Sequence, residues 1–240
     1  MTGKTESSVL GELKEKIRQQ KAEIETLKQQ LKPTKSQAGG HGGHGGGEVS
    51  EEDIANYLGE PFYATSLKRV GWLGIFLASL SFTAIIMNSF EHTLEKHIEL
   101  SYFVPLLAGH GGNTGGQTVS TVLSALSAGT VQRKDAPRII LKEALAGILS
   151  GVLLGLVVGP VAYKLMGISS HVTTVLFFTM PLLSTIAATL GAIIPFTCLW
   201  CGLDPSVIAS PAMTSAVDVT GLLSYFVIAN RVFKLFGLEL

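Results

Sequence analysis

Long apolar runs with few or no charged side chains constrain this chain more than any other feature. The clearest runs cover about Val70–Phe90, Ala144–Met166, Val172–Trp200 and Pro205–Phe236. A helix crosses the hydrocarbon of a bilayer with about 20 mostly apolar residues. Charged residues make up only 15% of the chain, against ~25% in soluble domains. These runs predict an all-α, multi-pass membrane protein that sits in a lipid bilayer.

A further run, about Leu100–Thr130, is long for a single crossing. It contains Pro105 and the glycine-rich stretch GHGGNTGGQ at residues 109–117. Glycines inside a membrane span let helix backbones approach closely or line a cavity with carbonyls. We expect a broken or bent helix here, which brings the prediction to five transmembrane helices per protomer.

The residues before the first span divide into two further segments. Residues 1–33 carry apolar side chains at alternating three- and four-residue spacing, which is typical of a short coiled-coil-like helix. Residues 34–66 form a Gly/His-rich linker and a juxtamembrane segment, with His41 and His44 as weak candidate metal ligands. Residues 67–240 then form the membrane domain. The alternative for the first segment is a marginal amphipathic helix in a disordered tail.

The basic residues of short loops predict the orientation. Lys68 and Arg69 precede the first span, and four basic residues lie between the second and third spans: Arg133, Lys134, Arg138 and Lys142. Both groups fall on one side, which the positive-inside rule makes the cytosolic side or its equivalent. The N-terminus is therefore expected on that side. The first sufficiently long apolar run starts near Gly71, so no cleavable signal peptide is expected.

Charge and cysteine content exclude several function classes. The formal net charge is zero, which gives no support for nucleic-acid binding. Cys198 and Cys201 form a C-x-x-C inside an apolar run with no second pair to complete a zinc site, so we interpret them as packing residues. Nothing in the pattern indicates an enzyme or a bound cofactor.

Asp218 is the candidate functional residue that stands out most. It lies near the middle of an apolar span, where a carboxylate costs about 2.5–3.5 kcal/mol on insertion scales and is a functional-site hypothesis by default. Ser210 and Thr214 precede it with oxygen atoms that suit a hard cation. Magnesium sites often use one or two carboxylates and keep several waters. The alternative is a carboxylate that is hydrogen-bonded for helix packing.

Polar residues elsewhere extend this hypothesis. Asn113 and Gln117, four residues apart on one helical face, present amide groups to an ion or to a neighbouring helix. Asp204 is either an ion-attracting charge at the cytosolic mouth or a helix cap before Pro205. Glu91, at the external end of the first span, is either a funnel charge or a solvated loop residue.

Two segments resemble the signature segments of MgtE-type magnesium transporters and their eukaryotic solute-carrier relatives. They are PLLAGHGGNTGGQ at residues 105–117 and DPSVIASPAMTSAVDVTGLLSYF at residues 204–226, and the resemblance covers about residues 68–236. It implies a five-span protomer and a homodimer whose interface forms a pore for Mg²⁺, with Mg²⁺ as the transported ion. The chain leaves no room for the CBS modules of bacterial members, so gating through such modules is not expected.

The resemblance also implies residue roles. Asp218 matches the pore aspartate of that family, Asp204 the aspartate of its D-P pair, and Asn113 the asparagine of its G-G-N motif. Thr214 and Ser210, one and two turns before the pore aspartate, match positions that line the ion site. We therefore predict a divalent cation transporter or channel. A Na⁺- or H⁺-coupled exchanger and a non-transporting membrane scaffold are the alternatives.

Overall fold

The computed structural model describes residue 59 and residues 61–238 of the chain. The predicted coiled-coil-like helix of residues 1–33, and His41 and His44 in the linker, lie outside the described residues. Within the described part, all regular secondary structure is helical. The all-α prediction is therefore confirmed.

Five long helices, with one short helix and a 3₁₀ turn between them, make up the described residues. The long helices are α1 (Phe62–Ser89), α3 (Glu99–Ser127), α4 (Ala136–Leu165), α5 (Ser170–Trp200) and α6 (Pro205–Leu235). The short helix α2 (Glu91–Lys96) joins α1 to α3, and the 3₁₀ turn Arg133–Asp135 leads into α4. Helix α1 starts earlier than predicted and includes residues 62–66, which the sequence analysis assigned to the juxtamembrane segment.

Four of the long helices are long and apolar enough to cross a membrane: α1, α4, α5 and α6. Helix α3 has 29 residues, but its histidine, asparagine, glutamine and glycines make it more polar, and it is not among the four. These four helices agree with the prediction of an integral, multi-pass membrane protein. The count of five spans stays a prediction.

Helix α3 is continuous, whereas the sequence analysis expected a broken or bent helix. It runs without interruption from Glu99 through Pro105 and the glycine-rich stretch to Ser127. A proline removes only one backbone hydrogen bond of the helical ladder, and the glycines keep their own N–H and C=O groups. The helix is therefore not broken, and a bend without a break stays a prediction.

Helix α5 forms the centre of the described bundle and packs against α3, α4 and α6. Its side is lined by small residues of α4 at four-residue spacing: Gly147, Gly151, Gly155 and Gly159, all buried. A methyl group added at Gly151 would lie 2.5 Å from the Cα atom of Pro181, and one at Gly147 would lie 2.6 Å from the carbonyl oxygen of Ser184. The α4–α5 contact is thus made backbone against backbone, as small residues at helix interfaces allow in membranes.

Polar contacts connect the helices at the end of the bundle that carries α2. The Tyr225 hydroxyl donates to the carbonyl oxygen of Leu100 at 3.0 Å, and the Thr93 hydroxyl donates to Oδ1 of Asn230 at 3.2 Å. Both the backbone N–H, at 3.1 Å, and the hydroxyl of Ser169 donate to the Glu99 carboxylate. These bonds satisfy polar groups that an apolar environment would otherwise leave costly.

Candidate functional site

Helix α6, which carries Asp218, begins at a well-defined cap. The Asp204 carboxylate accepts the backbone N–H of Ser206 at 2.8 Å and the Ser206 hydroxyl at 2.6 Å. Pro205 follows at the first helical position, where its missing N–H needs no partner. The structure therefore shows the capping role of Asp204. Its role as a charge at the pore mouth stays a prediction.

Substituting Asp204 separates these two roles. We expect Asp204→Ala to destabilise the protein by ~1 kcal/mol because it removes the cap, whereas Asp204→Ser keeps a capping oxygen and should be close to wild type. The thermal unfolding midpoint of the purified chain measures this difference. Equal midpoints for the alanine and serine variants would contradict a stabilising cap. Loss of cation flux in both variants would identify the charge as important.

Asp218 is half-buried and faces a cavity of about 190 Å³. Four helices form the wall of this cavity: α1, α3, α5 and α6. Of the described residues that line it, Asp218 alone is charged. The lining residues are Leu80, Thr83, Met87, Val104, Leu107, Ala108, Leu183, Val217, Asp218, Gly221, Leu222 and Tyr225.

Glycines on two helices shape the inner wall of this cavity. A methyl group at Gly221 of α6 would lie 2.6 Å from Cδ1 of Leu183, and one at Gly111 of α3 would lie 3.2 Å from the same atom. Gly111 also faces Val217, whose Cγ1 would be 2.6 Å from an added methyl group. Leu183 of α5 can therefore insert between α3 and α6 next to Asp218, and glycine-to-alanine changes here would have to displace side chains of the cavity wall.

The other predicted metal ligands do not line this cavity. Asn113 and Gln117 of α3 and Ser210 of α6 are exposed on the protomer surface. The Thr214 hydroxyl donates to the carbonyl oxygen of Ser210 at 3.1 Å. Among the residues that the structure describes, no three His, Cys, Asp or Glu side chains are grouped to hold a metal ion. The described part of one protomer thus supplies one carboxylate to this cavity and does not gather the predicted ligand set around it.

Comparison with known protein families decides what kind of chain this is. Residues 104–228, which include the glycine-rich stretch, Asp204 and Asp218, match the family model described as "MgtE: Divalent cation transporter". That match covers more than half of the chain. The chain belongs to the MgtE family.

Three curated MgtE relatives extend the similarity. The chain is 34% identical over 172 residues to a magnesium transporter MgtE from Thermus thermophilus, which covers 68% of this chain and 36% of the relative. It is 29% identical to the Bacillus subtilis magnesium transporter MgtE (70% and 37% covered). It is also 29% identical to the magnesium transporter MgtE of Enterococcus faecalis, and the match covers 77% of this chain and 40% of the relative. The chain therefore spans well under half the length of these relatives.

Two interhelical polar contacts in the MgtE-like region were missed by the sequence analysis. His110 Nε2 lies 2.7 Å from the Ser184 hydroxyl and joins α3 to α5. The Thr118 hydroxyl donates to the Glu143 carboxylate at 3.4 Å and joins α3 to α4. Glu143 was overlooked because the third span was expected to begin at about Ala144, whereas α4 already begins at Ala136. For the His110–Ser184 pair, the one signal in the sequence was a histidine within a glycine-rich span, which needs a polar partner.

The remaining candidates lie at the ends of helices. Glu91 is exposed in the first turn of α2, and its role as a funnel charge stays a prediction. Cys198 is buried and Cys201 is exposed, and neither forms a disulfide. Burial of Cys198 agrees with its interpretation as a packing residue, whereas the exposure of Cys201 on the described protomer does not.

Proposed function

We propose that this MgtE-family chain moves Mg²⁺, or another divalent cation, across a bilayer along a path that passes Asp218. The observation that carries the proposal is the half-buried Asp218 carboxylate facing a cavity inside the helical bundle. A carboxylate within a membrane span is expensive and is a functional-site hypothesis by default, and ion pathways are among the sites that such residues mark. The names of the MgtE relatives agree with Mg²⁺ as the transported substrate.

The size of the cavity supports a cation that keeps water. Its volume of about 190 Å³ corresponds to roughly six water molecules at ~30 Å³ each. Mg²⁺ demands octahedral coordination and gives up its waters reluctantly, so its sites often combine one or two carboxylates with several waters. Asp218 would then attract the ion by charge and contact it through its water shell.

The exposed polar side chains of α3 and α6 support a homodimer. Asn113 and Gln117 on α3 and Ser210 and Thr220 on α6 are exposed on the single protomer. Polar groups that face lipid hydrocarbon are costly, so a partner surface or a water-filled path should cover them. We propose that a second copy packs against these helices, with Asn113 and the carbonyls near Ser210 and Thr214 adding oxygen contacts to the ion at other points of its path, outside the Asp218 cavity. Asp204 and Glu91 then lie towards the two mouths, with the N-terminal side cytosolic.

Flux measurements on purified protein test the proposal. The full chain in liposomes should carry Mg²⁺ down its concentration gradient without a Na⁺ or H⁺ gradient, and other divalent ions should compete. A Mg²⁺ flux that requires a Na⁺ or H⁺ gradient would contradict a channel and favour a coupled exchanger. The absence of any divalent flux, with folded dimeric protein present, would contradict transport and favour a scaffold.

A further inference from the structure

The wall of the Asp218 cavity is mainly hydrocarbon. Leu80, Leu107 and Leu222 contribute aliphatic surface from three different helices. The two other polar side chains of the wall already have partners. The Thr83 hydroxyl donates to the carbonyl oxygen of Leu80 at 2.6 Å, and the Tyr225 hydroxyl donates to that of Leu100. The wall therefore offers an occupant one negative charge and otherwise apolar surface.

The Asp218 carboxylate is itself without a hydrogen-bond or ion-pair partner among the described residues. A charged group in apolar surroundings is stabilised by an opposite charge close by. A hydrated metal ion supplies that charge but makes no use of the aliphatic surface. An organic cation with a short hydrocarbon chain satisfies both parts of the wall.

We infer that this cavity binds small amphiphilic organic cations, with an ammonium group on the Asp218 carboxylate and a hydrocarbon chain against Leu80, Leu107 and Leu222. The Tyr225 ring, which also lines the cavity, offers an aromatic surface to the cation. Each methylene group that leaves water should strengthen binding about fourfold. Charge complementarity selects this occupant over a lipid acyl chain, which would fill the apolar part and leave the carboxylate unpaired.

The volume sets the size of the occupant. About 190 Å³ is less than the ~300–1,000 Å³ of pockets for drug-sized ligands. It suits a molecule of about six to seven non-hydrogen atoms, since a water molecule, with one such atom, takes ~30 Å³. A six-carbon primary amine in its ammonium form is the matching probe.

Calorimetric titration of the full chain in lipid nanodiscs tests the inference directly. Hexylammonium should bind about tenfold more tightly than hexanol of the same chain length, a ratio equivalent to ~1.4 kcal/mol, and hexanoate should bind more weakly still. Asp218→Asn should remove the preference for the ammonium, and Ala108→Phe should weaken all three probes by filling the cavity. Glu95→Gln, which removes an exposed carboxylate of α2, is the matched control and should change nothing. Equal binding of hexanol and hexylammonium, or a preference that survives Asp218→Asn, would overturn the inference.

A second measurement rests on the proposed function and separates the two ideas. Hexylammonium, but not hexanol, should slow Mg²⁺ flux through the reconstituted chain, and raised Mg²⁺ should relieve the inhibition. Binding without inhibition would support the ligand site and contradict a transport path through Asp218. Flux without any binding of hexylammonium would overturn the ligand site and leave transport in place.

Discussion

Asp218→Asn is expected to lower Mg²⁺ flux through the reconstituted chain by at least about tenfold, equivalent to ~1.4 kcal/mol. The substitution keeps the size of the side chain and removes the one charge among the described residues that line the cavity. At an effective dielectric of about 20, a single charge 4 Å from another interacts by ~4 kcal/mol, so its loss should weaken cation attraction strongly. A Mg²⁺-sensitive dye inside liposomes measures the initial rate.

The matched control changes an equivalent charge away from the cavity. Glu95 of α2 and His92 are both exposed, and Oε2 of Glu95 lies 3.8 Å from Nδ1 of His92. Glu95→Gln therefore removes one carboxylate without touching the cavity. It should keep wild-type flux. If Asp218→Asn also kept wild-type flux while eluting as a folded species, the cation path would have to avoid Asp218.

The second large effect is expected from Gly151→Ala in the α4–α5 contact. The added methyl group would lie 2.5 Å from Cα of Pro181 and 2.7 Å from the carbonyl oxygen of Met180. Both neighbours are backbone atoms that cannot rotate away, so the two helices must separate. Overpacking of this kind costs about 1–3 kcal/mol. Thermal unfolding of the purified chain should show a clearly lowered midpoint.

Gly74→Ala in α1 provides the comparison. An added methyl group at Gly74 meets nothing within 4 Å, and alanine is favoured over glycine in a helix by roughly 0.5–1 kcal/mol. This variant should therefore be as stable as wild type or slightly more stable. A Gly151→Ala protein that unfolds at the wild-type temperature would show that α4 and α5 do not pack as closely as in the structure.

Hydropathy predicted the membrane helices well where apolar runs end at clear signals. The predicted last span began at Pro205, and α6 begins there because Asp204 caps it. Helix α1 was predicted less well, since it continues outward past Lys68 and Arg69 to Phe62. Charged residues mark the end of the apolar segment, but the helix can extend beyond them as long as its backbone hydrogen bonds continue. The break expected at the glycines of α3 failed for a related reason, because glycine weakens a helix without ending it.

The candidate site was only partly predictable. The cost of a lone carboxylate in an apolar span identified Asp218 from the sequence, and the structure places a cavity in front of it. The sequence did not reveal that Thr83 and Met87 of the distant α1 share that cavity. Such neighbours depend on the rotation of each helix about its axis, which residue spacing does not determine. The His110–Ser184 pair was missed for the same reason, since its partners are 74 positions apart.

The position of α1 has a consequence for how molecules reach Asp218. The most apolar stretch of α1 has no buried residue in the described protomer, and α1 packs mainly on α6. Three residues of α1 nevertheless line the cavity. Elements with few buried apolar contacts open most easily. Outward tilting of α1 would create a lateral entrance from the lipid phase, separate from any aqueous mouth. The potency of a hydrophobic ammonium compound would then follow its partitioning into the bilayer rather than its concentration in water.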